Sequence, residues 1–69
     1  MTQNEMILEH LQNYGSITPQ EAMQQYSVMR LGARIFDLKK EGHHILTTLE
    51  NSSNKYGEKV HYARYRLVE

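Results

Sequence analysis

The chain has 69 residues, with eight Lys+Arg against eight Asp+Glu, four His, no Cys and no Trp. This length specifies one domain with a thin core, because folding removes only about 60% of the unfolded surface from water and leaves little room for a deep pocket. The missing cysteines exclude disulfides and thiolate zinc modules. No apolar run approaches the roughly 20 residues that span a bilayer, and no secretion-type amino terminus is visible. Zero formal charge argues against coating nucleic acid by bulk attraction. The composition predicts a small cytoplasmic globular domain.

Thr2-Gln3-Asn4-Glu5 has the form of a capping box, and Ile7, Leu11 and Tyr14 follow at helical spacing up to Gly15, so a helix is predicted over about 3–14. Ser16-Ile17 reads as a short extended link. Thr18-Pro19-Gln20-Glu21 is a second capping box, with proline at the first helical position, and Ala22, Met23 and Tyr26 give a second helix over about 19–26. Ser27 is the next expected N-cap. Val28, Leu31, Ile35 and Leu38 recur at spacings of 3, 4 and 3 before Gly42, which predicts a third helix over about 28–41.

After Gly42 the period changes. Ile45, Thr47 and Leu49 alternate, as do Ala63, Tyr65 and Leu67, so strands are predicted over about 43–50 and 58–67 with a polar loop at 51–57. The expected class is mostly α with a β-hairpin (α+β), and the hairpin must pack on the helices because two strands alone are marginal.

A very short turn near Ser27 joins the second and third helices at a sharp angle, the arrangement of a helix-turn-helix. On three segments the sequence resembles a winged helix-turn-helix domain of the small bacteriophage and mobile-element type. These are Ile17-Thr18-Pro19-Gln20-Glu21-Ala22, then Arg30-Leu31-Gly32-Ala33-Arg34-Ile35 with Leu38-Lys39-Lys40-Glu41-Gly42, then Ala63-Arg64-Tyr65-Arg66-Leu67. The resemblance covers nearly the whole chain. It implies a three-helix core with a two-stranded wing, and a DNA-binding transcriptional regulator whose third helix enters the major groove.

Placed at 100° per residue, the third helix puts Val28, Leu31, Ile35 and Leu38 on one side and Arg30, Arg34, Asp37 and Glu41 on the other, flanked by Met29, Ala33 and Lys40. Arginine meets guanine edges bidentately, and small residues allow close approach. The resemblance makes Ser27, Met29, Arg30, Ala33 and Arg34 the base-facing set. The competing reading is a solvated face in which Arg34 pairs with Asp37 at i,i+3. Thr18 is a cap, and Thr18 or Gln20 is also a candidate phosphate contact at a helix start. In the wing, Lys55 and Lys59 are phosphate candidates and Asn54 a base-edge candidate, against the alternative of an ordinary solvated hairpin.

Tyr65 is expected in the core. Adjacent His43 and His44 point to opposite faces of a strand, so no metal site is expected, and neither a catalytic motif nor a cofactor motif is present. The expected partner is double-stranded DNA, bound by a homodimer or by tandem copies. The rival reading is a protein-binding winged helix that inhibits or redirects a host enzyme. No membrane or small-molecule partner is expected.

Overall fold

The computed structural model describes residues 1–69. Its elements in chain order are α1 (Gln3–Tyr14), β1 (Ser16–Ile17), α2 (Pro19–Tyr26), α3 (Leu31–Lys40), β2 (Ile45–Ser53) and β3 (Lys59–Leu67).

Helix α1 starts under its capping box. The Thr2 hydroxyl accepts from the Glu5 N–H at 3.1 Å, and the Glu5 carboxylate accepts from the Thr2 N–H at 2.7 Å. That backbone bond holds the Glu5 carboxyl below its ordinary value of 4.5. Gly15 closes the helix in the left-handed region at φ 85°, where a side chain would be strained. Helix α2 repeats the device with Thr18 and Glu21.

The expectation that Ser27 starts the third helix is corrected. Ser27 instead ends α2 at φ 57°, the only non-glycine residue with positive φ. Its N–H donates to the Met23 carbonyl at 3.0 Å, and the Val28 N–H reaches back to Ala22 at 3.1 Å. This left-handed corner turns Val28 into the core, so α3 begins only at Leu31, with Arg30 at the N-cap position.

The expected two-stranded wing is also corrected. The sheet has three antiparallel strands in the order β1-β3-β2, because Ser16 pairs with Arg66 and Ile17 with Tyr65. The Leu67 N–H donates to the Gly15 carbonyl at 3.0 Å, so the residues after α1 satisfy part of the edge of β3 that the hairpin leaves open. The hairpin ladder continues to Ser53↔Lys59, which shortens the loop to residues 54–58.

The core consists of Ile7, Leu11, Ile17, Ala22, Val28, Leu31, Ile35, Leu38 and Ile45, all but Ala22 large aliphatics whose full burial stabilises by about 1.5–3 kcal/mol each. Tyr65 packs against this core from the sheet, half-buried. Its hydroxyl lies 3.7 Å from where a Cβ on Gly32 would stand, which places the sheet against the first turn of α3. One polar side chain penetrates between α1 and α2. His10 is 3% exposed and its Nδ1 is hydrogen-bonded to the Tyr26 hydroxyl at 2.6 Å. Burial pushes the Tyr26 phenol above its ordinary value of 10.

Candidate nucleic-acid interface

Leu31, Ile35 and Leu38 turn inward from α3, which fixes what its other faces present. Ala33, Phe36 and Lys40 occupy the arc opposite the core, with exposed Met29 and Arg30 just ahead of the helix. Met29 is 77% and Phe36 62% exposed, large values for apolar side chains of a small domain. The Lys40 ammonium sits 5.5 Å from the centre of the Phe36 ring, so the two form one cationic and apolar unit.

Arg34, which the sequence grouped with Arg30, is turned sideways. Its guanidinium pairs with Asp37 at 3.2 Å and reaches Gln3 of α1 at 3.4 Å, while Asn4 of α1 donates to the same Asp37 carboxylate at 3.3 Å. The reason is angular: positions 34, 37 and 41 lie on the flank of α3 that faces α1. The i,i+3 pair weighed from the sequence is the arrangement formed, and it serves the α1–α3 seam.

Thr18 is only 5% exposed. Its hydroxyl accepts from the Glu21 N–H at 3.2 Å and donates to the Glu21 carboxylate at 3.1 Å, so its polar atoms are occupied by the cap. Gln20, one residue into α2, is exposed. It borders a cleft of about 420 Å³ shared with Pro19 and with Ser52, Val60 and Tyr62 of the hairpin. Arg64 ties the same region together, with its Nε donating to Glu50 at 2.8 Å and its Nη1 to Ser16 at 3.0 Å, and with Glu21 at 3.8 Å. The Glu50 contact holds the Arg64 guanidinium above its ordinary value and the Glu50 carboxyl below 4.5.

At the wing tip Asn54 builds the turn rather than projecting from it. Its Oδ1 accepts from the N–H groups of Tyr56 and Glu58 at 2.9 and 3.1 Å, and its Nδ2 donates to the Glu58 carboxylate at 3.1 Å. Lys55 and Lys59 remain exposed, the former 5.0 Å from the centre of the Tyr56 ring. His61 is hydrogen-bonded to Asn51 across the hairpin, away from His43, which pairs with Glu69 at 2.6 Å. No group of three potential metal ligands is assembled.

The cations divide unevenly. Only Arg34 and Arg64 are in ion pairs, while Arg30, Lys39, Lys40, Lys55, Lys59 and Arg66 have no carboxylate within 4.0 Å. Residues 1–26 contain Glu5, Glu9 and Glu21 and no Lys or Arg at all. The start of α3 is also open, because no side chain caps it and a guanidinium has no acceptor to offer its first N–H groups. Anions favour such a helix start. Sequence reasoning left out Phe36 and Arg66; the helical projection already places position 36 beside Lys40 on the outward arc.

The order of helices, the turn between α2 and α3, and the hairpin lying against the first turn of α3 define a winged helix-turn-helix. A family model described as a winged helix-turn-helix domain matches residues 2–69, and the chain belongs to that family. No curated protein and no solved structure gives a significant match. The class is a DNA-binding one in general. No helix is long and apolar enough to cross a membrane.

Proposed function

We propose that the protein binds double-stranded DNA with sequence specificity and acts as a small transcriptional regulator of a phage or mobile element in the bacterial cytoplasm. Arg30, Met29, Ala33, Phe36 and Lys40 meet base edges and sugar in the major groove, with Ser27 at the approach. Gln20 and the wing lysines Lys55 and Lys59 contact phosphates. The observation that carries this reading is the segregation of charge. All six Lys and Arg side chains without an ion-pair partner lie from Arg30 onward, while the first 26 residues carry three carboxylates and no Lys or Arg. A module of this size buries too little surface for tight specific binding, so two copies on adjacent sites are expected.

The test is duplex affinity against salt concentration. Each phosphate contact contributes about −0.9 to the slope of log affinity against log salt, so Lys55→Ala lowers the slope by about one. Undetectable binding to pooled genomic duplexes at low salt overturns the proposal. Zero net charge and the pairing of Arg34 with Asp37 favour a second reading, a winged helix that docks on a host enzyme. Under that reading Arg30→Ala abolishes capture of the enzyme and no duplex binds.

A further inference from the structure

The geometry points to strand β2 as a self-complementary edge that joins two copies of this chain into one six-stranded antiparallel sheet. The phase of the hairpin ladder is set at both ends: the Val68 N–H donates to the His44 carbonyl at 2.9 Å, and the Asn54 N–H to the Glu58 carbonyl at 2.9 Å. Directly opposed hydrogen-bonded pairs alternate with non-bonded pairs in an antiparallel ladder. Residues 46, 48, 50 and 52 therefore bond to β3. Ile45, Thr47, Leu49, Asn51 and Ser53 turn their N–H and C=O groups outward, and no strand lies beyond them.

This edge lacks the usual protections. It runs unbroken for nine residues without bulge, proline or lysine, and it exposes Leu46 at 57% and Leu49 at 76%. The opposite edge of the sheet differs, because β1 covers the end of β3 and the uncovered part carries Lys59.

A second copy fits better than an arbitrary extended peptide because the pattern matches itself. With Leu49 on a two-fold axis, Thr47 opposes the partner's Asn51 and Ile45 opposes the partner's Ser53. All five outward residues then meet outward residues, giving about ten new N–H···O bonds. The only charge on the strand is Glu50, which would oppose the partner's Thr48, so no like charges face each other. The two Leu49 side chains cover one another on the axis. That axis is perpendicular to the sheet, so α3 stands on the same side in both copies. The contact needs no DNA.

The test is sedimentation velocity of the full chain over a wide concentration range without nucleic acid. A dimer in concentration-dependent equilibrium with monomer is expected. The Leu49 N–H points away from β3, so Leu49→Pro removes no bond of the hairpin and weakens the dimer at least about tenfold, with an unchanged circular dichroism spectrum. Should that variant fail to fold, Leu49→Cys gives the answer in a chain with no other cysteine. The opposed Cα atoms would lie about 5.5 Å apart, within disulfide range, so this variant oxidises to a covalent dimer faster than Lys55→Cys at the wing tip. Three results overturn the proposal: monomer throughout with equal oxidation of both cysteine variants, a dimer that survives Leu49→Pro, or growth into open-ended oligomers.

Discussion

Helices α2 and α3 start in opposite ways. Before α2, Thr18 is buried, and its N–H and hydroxyl are closed in a loop with the Glu21 backbone and carboxylate. Before α3, Arg30 is exposed at φ −114°, ψ 62°, its side chain bonds to nothing at the helix start, and Gly32 occupies the first turn. The same contrast extends outward. The front of the chain closes its helix starts internally, through two capping boxes and the buried His10–Tyr26 bond, and carries no Lys or Arg. From Ser27 on, an uncapped helix, unpaired cations and exposed Met29, Phe36 and Leu49 remain. Closed helix starts mark the part that holds the fold, and the open start of α3 with its unpaired cations marks the part available to a partner.

Substitutions on the two sides should separate stability from binding. Tyr26→Phe leaves the buried His10 nitrogen without its partner and should lower unfolding free energy by about 1–3 kcal/mol in urea titrations, with duplex affinity of the folded protein unchanged. Arg30→Ala should do the reverse, weakening a selected duplex by about 1–3 kcal/mol in a titration while stability stays within about 0.5 kcal/mol. Equal stability loss in both variants would erase the contrast. Thr18→Ala should cost about 1 kcal/mol of stability, and Thr18→Ser should recover most of it. A Thr18→Ala protein that unfolds normally but no longer binds DNA would show the cap to be a contact instead.

Acid gives the mildest effect and reaches both halves. Hydrogen bonds from Thr2, Arg64 and His43 hold the carboxyls of Glu5, Glu50 and Glu69 below 4.5 in the folded chain. The unfolded chain therefore binds more protons just below pH 4.5. The stability these bonds give is full above that value and is lost as pH falls through the depressed folded values. Melting temperature followed from neutral pH into this range should be flat and then decline.

Much of the helical part was legible because its signals are local. A capping box occupies four consecutive residues, and the periodicity of α1 and α2 together with Gly15 sets their ends. The periodicity alone starts the third helix three residues before α3 begins, because Ser27 suits either an N-cap or a left-handed C-cap, and only the burial of Val28 decides between them. β1 was legible as extended chain but not as a strand, since two residues carry no alternation and their partners lie about fifty positions away in sequence. The candidate interface was legible in its composition. Its membership was not, because Arg30 and Arg34 look equivalent on a helical projection until α1 takes one of them.

The sequence by itself determined the class of fold, the two closed helix starts and the separation of an acidic front from a basic rear, all properties of neighbouring residues. Tertiary structure decided which arginine is free, that Thr18 caps α2 and Asn54 bonds within the wing turn, that the sheet has three strands, and which edge of that sheet stays open. Those depend on which distant side chain or strand reaches a polar group first, and no local pattern encodes that competition.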